Sequence, residues 1–438
     1  MNEILKKFEL LNDFYLTLKG ISLYYVSFKD NPYKSTDFLK EYQYKKLKKL
    51  LIESHRNVPY YTQLFKKIKF NPIRDFNAIK DINKIPILEK ETVRQNPELF
   101  YNQKINKYLT LHTSGSTGNP LQVRVSYNAW IVEQASVWRH WKWAGYKFRD
   151  KMAIVRSYVP ENNSKLTKYD YIRNFKYYSP FHINEHNGIL YLKDMINEKI
   201  KFLRGYPSSI KVLADIAIKN NINLRNIKGI FVASERLSRL QRQTISKAFN
   251  CKVYNHYGQA DISITMANCN KTNLLHNFED YGYLELESVD SFDNNIKQII
   301  GTNLHNYAMP LIRYKTNDLA ELSETEYKST KKFRTIKNIY GRNDSVIKTK
   351  SGYMIPTVNF YTMFDTYLNI KQWQIIQKDL NNIEFIIKYE GIVDEIIKTN
   401  IKTDIFKRLN DEINIKLSFN SKFIQKNEGK IPTFISLL

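Results

Sequence analysis

At 438 residues, with 42% apolar and 14% aromatic residues, the chain is too long for one ordinary core, which predicts two or more domains and excludes a disordered tail. Its formal net charge is +25, but the lysines are scattered through pieces such as YKKLKKLL and STKKFR with no run of five basic residues; a solvated surface accounts for them, and nucleic acid is not expected as the main partner. Cys251 and Cys269 make no disulfide framework, MNEILKKFELLNDF is too interrupted by charge for a signal peptide, and no apolar run of about 18 residues predicts a membrane span, so a cytoplasmic location is expected.

Tyr44, Leu47, Leu50 and Leu51 recur at helical spacing, and Pro59 predicts the end of that helix by restricting Val58. Such a basic amphipathic helix either lies on a membrane surface or, more commonly, packs on its own domain. Leu109 and Leu111, then Leu121, Val123 and Val125, alternate with polar neighbours and predict two strands around the loop TSGSTGNP, residues 113–120. Ser126 caps a predicted helix through Trp130, Gln134, Val137, Trp138 and Trp141, closed by Gly145. Asn119 and Pro120 stand where a Walker A loop needs Lys and Ser/Thr, which excludes an ordinary P-loop.

LRGYPSSIKVLADIAI and IKGIFVASERLSRLQRQTISKAFNCKVYNHYG read as alternating strands and helices, an α/β arrangement whose strand ends carry a site at the carboxyl edge. Beyond residue 342, KQWQIIQ, IEFIIKY and INIKLSF alternate like strands, with a helix near 393–409 between the second and third. The expected organisation is a large domain of β-sheets flanked by helices over residues 1–341 and a small mobile α+β domain over 342–438.

The loop's Thr113, Ser114, Gly115, Ser116, Thr117 and Gly118 offer hydroxyls and closely approachable backbone N–H groups, which suit a phosphate; a plain surface turn is the alternative. Cys251, His256, Cys269 and His276 form no zinc-ligand spacing, so buried thiols and ordinary histidines are expected.

TSGSTGNP is followed in order by YNHYGQAD (254–261), MPLIRYKTND (309–318), GRNDSVIKTKSGYMIP (341–356) and NEGKIP (427–432). This ordered set resembles the core motifs of the adenylate-forming superfamily, and ESHRNVPYYTQLF and GYPSSI resemble its phenylacetate–CoA ligase branch, including relatives encoded in capsule-biosynthesis clusters. The resemblance runs from about residue 45 to the C-terminus.

It implies ATP-dependent activation of a small carboxylic acid to an acyl-adenylate with release of pyrophosphate. The acyl group then passes to coenzyme A or, alternatively, to an amine in surface-polysaccharide assembly; a nucleotide-binding protein with impaired catalysis is a third reading. By the same resemblance the hydroxyl loop holds the β- and γ-phosphates, Tyr257 with Gly258 meets the adenine, and Asp261 holds Mg²⁺. The family pattern ends this motif in Glu, and Asp is one methylene shorter. Asp318 matches the carboxylate that accepts both ribose hydroxyls, with Asn317 in place of the usual Gly. Arg342 matches a ribose and phosphate contact, Asp344 the hinge residue, and Lys430 the catalytic lysine that bridges the substrate carboxylate and the α-phosphate. Tyr206, Pro207, Phe181 and His182 match acyl-site segments, and Glu235 an acidic position between acyl pocket and nucleotide. The acid and the oligomeric state, a homodimer among the options, stay open.

Overall fold

The computed structural model describes residues 2–112, 121–160, 165–289, 295–323, 330–342, 346–348, 350, 354–357, 360, 363–364, 367–409, 413–425 and 431–438. The chain is a mixed α/β protein of two compact units, Met1–Gly145 with His256–Ile339, and Tyr146–Asn255 with Tyr340–Leu438.

The first unit opens with α1 (Asn2–Leu23), continued by a π-helical turn at Tyr24–Phe28. Leu16, Gly20, Tyr24 and Phe28 step four residues apart along its buried face. Helix α2 (Thr36–Asn57), capped by Ser35, buries Leu39, Leu47, Leu50 and Leu51 and extends the helix expected around residues 44–52. Val58 then turns extended at φ −119°, ψ 112°, as the proline rule requires, and Pro59 becomes the first residue of α3 (Pro59–Lys67). Two short helices, α4 (Pro72–Asp75) and α5 (Lys90–Gln95), lead to β1 (Tyr108–His112) and β2 (Gln122–Ser126). These strands pair antiparallel with Leu111 opposite Val123, the expected hairpin. Helix α6 (Tyr127–Trp143) starts where Ser126 Oγ accepts the Ala129 N–H at 3.3 Å, and Gly145 ends the segment at φ +85°. Gly20 allows α1 to sit on α6: a Cβ there would stand 2.4 Å from Gln134 Cβ and 2.8 Å from the Ile131 carbonyl.

In the second unit the chain builds β3 (Met152–Val155), β4 (Thr167–Asp170), β5 (Phe175–Tyr178), α7 (Glu185–Asn197), β6 (Phe202–Gly205), α8 (Pro207–Lys219), β7 (Gly229–Ala233) and α9 (Arg239–Phe249). The strands lie in the order β4-β5-β3-β6-β7, all parallel except the edge strand β4. Crossovers through α7 from β5 to β6 and through α8 from β6 to β7, with β3 parallel between β5 and β6, send the carboxyl ends of β5, β3, β6 and β7 to one edge. Ile210, Leu213 and Ala217 of α8 and Ile245 and Phe249 of α9 share one apolar core with Val155, Leu203 and Ile230 of the sheet.

Strand β8 (Lys252–Gly258) ends in the first unit, where it pairs antiparallel with β9 (Thr265–Asn268), followed outward by β10 (Leu275–Asn277). A separate antiparallel meander comprises β11 (Gly282–Ser288), β12 (Ile296–Asn303) and β13 (Tyr314–Glu321). β14 (Thr335–Ile336) pairs with β10, and β15 follows at Asn338–Arg342. Under these sheets Arg139 of α6 and Asp280 form a fully buried ion pair at 2.5 Å, with the Asn31 amide on the same carboxylate at 2.8 Å and the Phe28 carbonyl on the guanidinium at 2.8 Å. Such a pair tolerates removal of neither partner alone.

The last segment of the second unit has the short hairpin β16 (Val346–Lys348) and β17 (Met354–Pro356), then β18 (Ile370–Gln377), β19 (Asn382–Tyr389), α10 (Glu395–Leu409), β20 (Asn414–Phe419) and β21 (Phe434–Ser436). Its four strands lie in the order β20-β19-β18-β21. The three alternating stretches read as strands are strands, and the intervening helix is in place.

Candidate active site

In the first unit Tyr257 and Gly258 end β8, and the turn behind them carries Gln259 and Asp261. Asp318 arrives from β13. Its Oδ2 accepts the Tyr257 hydroxyl at 2.7 Å and the Gln259 amide at 2.8 Å, while that amide also donates to the Tyr257 hydroxyl at 2.7 Å. Ser263 Oγ donates to the other end of the Gln259 amide at 2.7 Å, fixing which way it points.

The backbone of Asp318 is held from both sides: its N–H donates to Thr316 Oγ1 at 3.1 Å and its carbonyl accepts the Gln298 amide at 3.0 Å. Asn317 lies at φ +63°, the left-handed conformation in which asparagine replaces glycine with least strain. Burial, followed by the charge and hydrogen bond of Asp318 and the charge of Asp261, pushes the Tyr257 phenol well above its ordinary range, so it remains a proton donor.

Asp261 is 6% exposed, in a turn where Ile262 adopts φ +48°, an uncommon conformation for a β-branched residue. Glycines of the meander let that turn seat closely. A Cβ at Gly282 would lie 2.8 Å from the Ser263 carbonyl, and one at Gly301 would lie 2.9 Å from Ile264 Cγ2. Close packing from both sides holds Ile262 in this strained backbone.

The hydroxyl loop, Thr113, Ser114, Gly115, Ser116, Thr117 and Gly118, lies outside the described residues, but its stem is well anchored. The Arg124 guanidinium sits 3.5 Å from the Tyr101 ring centre and 4.4 Å from that of Tyr108. At the foot, Asn306 accepts the Ser126 N–H at 3.0 Å and donates to the Arg124 carbonyl at 3.0 Å. Among the histidines considered for zinc, His256 shares a 2.9 Å hydrogen bond with Thr265 Oγ1 and stacks on His140 at 5.6 Å, and His276 is buried with its ring centre 5.5 Å from that of Trp143.

In the second unit the residues expected to line an acyl site gather at the carboxyl ends of the parallel strands. Tyr206 follows β6, is fully buried, and shares a 2.7 Å hydrogen bond with Ser157, which follows β3 at φ +54°. Pro207 is the first residue of α8. Glu235 follows β7, where Ser234 takes φ +71°, and accepts both the Ser208 N–H and the Ser208 hydroxyl at 3.0 Å. Its carboxylate therefore caps the N-terminus of α8, a favourable place for negative charge. Phe181 and His182 follow β5, both half-buried, with His182 Nδ1 2.8 Å from Ser179 Oγ. Sequence reasoning did not single out Arg156, half-buried after β3 with its guanidinium 5.5 Å from the Tyr206 ring centre. Its signal was available: a basic residue directly after a short apolar strand.

Asp344 and Lys430 lie outside the described residues, as does the side chain of Arg342. The segments flanking Lys430 are visible, and they reveal a second residue that sequence reasoning missed. Gln374 of β18 is fully buried; it accepts the Ile424 N–H at 2.9 Å and donates to the carbonyls of Ile424 at 2.9 Å and Pro432 at 2.8 Å. One amide thus clamps both ends of the segment containing Lys430. Gln377, three residues further along the strand, accepts the Lys348 N–H at 3.0 Å and donates to its carbonyl at 2.6 Å, tying β16 to β18.

No family model matches the chain. Among curated proteins it is similar to Protein CapK of Staphylococcus aureus, at 27% identity over 393 residues covering 86% of this chain and 83% of the relative. It is similar also to the phenylacetate-coenzyme A ligase of Pseudomonas putida, at 25% identity over 338 residues covering 74% and 75%. Its fold resembles a crystal structure of 2-hydroxyisobutyryl-CoA ligase in the postadenylation state in complex with R3-HIB-AMP, with a TM-score of 0.71 at 14% identity, covering 93% of this chain and 91% of that one. The chain thus has the fold of 2-hydroxyisobutyryl-CoA ligase and is similar in sequence to CapK and to a phenylacetate-coenzyme A ligase.

Proposed function

We propose that this protein is an adenylate-forming ligase that activates a carboxylic acid with ATP and transfers the acyl group to the thiol of coenzyme A. The observation that carries this reading is the Asp318–Tyr257–Gln259 cluster. Two motifs some 60 residues apart in sequence meet in hydrogen-bonded contact, with a carboxylate set to accept hydroxyl donors. In the first step a carboxylate oxygen of the acid attacks the α-phosphorus of ATP, the bond to the β-phosphate breaks, and pyrophosphate leaves. In the second, the sulfur of the thiol attacks the acyl carbon and AMP departs with the bonding electrons.

In this scheme Asp318 holds the ribose, Tyr257 and Gly258 flank the adenine, and the loop from Thr113 to Gly118 holds the β- and γ-phosphates. Lys430 carries positive charge to the crowded oxygens of the first step, where such charge is worth most. Arg342 reaches ribose or phosphate, and Asp344 is the hinge of a lid spanning 342–438. Asp261 suits Mg²⁺, because a buried, hard oxygen donor beside phosphate oxygens and water matches what that ion takes. When bound, the ion offsets phosphate charge. Tyr206, Pro207, Phe181, His182 and Glu235 surround the acid, with Glu235 acting through the α8 N-terminus that it caps.

A second reading is transfer to an amine in surface-polysaccharide assembly, where the similarity to CapK suggests the capsule setting and leaves the acceptor open. Pyrophosphate release from ATP with a panel of acids tests the first step; ATP binding without release would mark an impaired nucleotide-binding protein instead. Adding coenzyme A or an amino sugar then separates the acceptors, since only the true one sustains turnover. Lys430→Ala is expected to abolish pyrophosphate release while ATP still binds, and unchanged release would remove Lys430 from the reaction.

A further inference from the structure

We propose that the outer face of α1 and of the π-helical turn after it rests on an anionic lipid surface. The inner face of this helix is accounted for, since Leu16, Gly20, Tyr24 and Phe28 are buried. The outer face is apolar as well. Leu11, Tyr15, Leu18, Tyr25 and Val26 recur at i, i+4, i+7, i+14 and i+15, and they are 39% to 80% exposed, Val26 most of all. A helix apolar on two opposite sides normally has both covered. The apolar exposure continues past the turn through Tyr33 and Phe38.

Charge decides what covers it. The exposed Lys19 and Lys29 border the stripe, with Lys19 Nζ 5.5 Å from the Tyr15 ring centre, and Lys34 Nζ lies 5.7 Å from that of Phe38. The acids between residues 11 and 34 are only Asp13 and Asp30. Asp13 stands on the opposite side of the helix, roughly 160° from Leu11 at about 100° per residue. Asp30, exposed beside Lys29, and Asp37, exposed beside Phe38, lie only at the far end past the π-helical turn. A second copy docked by two-fold symmetry along α1 would therefore set Lys19 against lysine, with no acid over residues 11–26 but the far-side Asp13, in a chain already at +25. Tyrosines, aliphatic side chains and lysines together instead suit the boundary between lipid headgroups and acyl chains. The association is peripheral: among the described residues no helix is long and apolar enough to cross a membrane.

The test is co-sedimentation of the full chain with phosphatidylglycerol/phosphatidylcholine vesicles and with pure phosphatidylcholine vesicles, beside the double variant Tyr25→Ser/Val26→Ser. Both substitutions are at exposed positions, and an unchanged thermal unfolding midpoint verifies the fold. The expected result is binding to the anionic vesicles only, weakened at least tenfold in the double variant and weakened by salt. Three results overturn the proposal: no binding to either vesicle, equal binding by parent and variant, which would mean charge alone, or a dimer of the parent chain that the variant abolishes, which would mean a second copy.

Discussion

The two regions that carry the proposed chemistry are built in different ways. Around Asp318 the first unit uses side-chain hydrogen bonds between residues of distinct type, a carboxylate, a phenol and an amide, over a backbone pinned on both sides. At the carboxyl edge of the second unit's sheet, position comes from strand ends and burial, and the polar groups of Ser157, Ser208 and Glu235 chiefly hold the walls. A nucleotide presents fixed donors and acceptors and so demands particular residue types. An acyl group demands a shape, which many residue sets satisfy.

That contrast can be broken by substitution. Asp318→Asn has the largest expected effect, raising the KM for ATP by about 10- to 100-fold, as loss of a hydrogen bond to a charged group costs about 1.5–3 kcal/mol. Steady-state kinetics with ATP varied would show it, and an unchanged KM would remove Asp318 from the nucleotide site. Gln374→Leu comes next, because it strips the Ile424 N–H and two carbonyls of their buried partner. Its adenylation kcat should fall about tenfold or more while the ATP dissociation constant holds within about twofold, since each orphaned group costs about 1–3 kcal/mol locally. Equal losses in both would mean general unfolding rather than a misplaced lysine segment.

Tyr206→Phe sharpens the other side. Only the hydroxyl bound to Ser157 is lost, so the KM for the acid should shift less than about tenfold with that for ATP unmoved, in keeping with about 0.5–1.5 kcal/mol for one neutral hydrogen bond. A change confined to ATP would reverse the assignment of the two regions.

The smallest expected effect is on stability against pH, and it belongs to the first unit. Burial pulls His276 and His305 down to about 4 from an ordinary 6.5. Their folded forms stay neutral where the unfolded chain already takes up protons, so the stability they contribute is complete above about pH 6.5 and is lost as pH falls from 6.5 to 4. Thermal midpoints should decline across that window, with a shallower decline in His276→Phe, whose ring would still meet Trp143. A flat wild-type profile would show that these rings are not held neutral by the fold.

Local patterns in the sequence carried the helices and strands whose signals are self-contained. Ser126 and Gly145 bound α6, Pro59 separates α2 from α3, and the three alternating stretches after residue 369 became three strands of one sheet. Helix α1 escaped that reading because apolar residues on both of its faces blur the single stripe by which a surface helix is recognised. Glu235 drew notice for its motif position, yet its bond to the start of α8 depends on β6 and β7 lying side by side. Gln374 looked like any polar strand residue until both flanks of the Lys430 segment met its amide.

The sequence by itself determined the order of the motifs, the residue types chemically suited to phosphate, ribose and metal, and the bounds of α6, the α2–α3 break and the β1–β2 hairpin, because these depend on side-chain chemistry and on neighbours a few positions away. Only the tertiary structure decided that Tyr257, Gln259 and Asp318 share hydrogen bonds, that four strand ends meet at one edge, and that α1 leaves an apolar face uncovered. Each of these joins or exposes groups far apart in the chain, and the free energy that selects them comes from burial and pairing across the fold, which no local window of sequence contains.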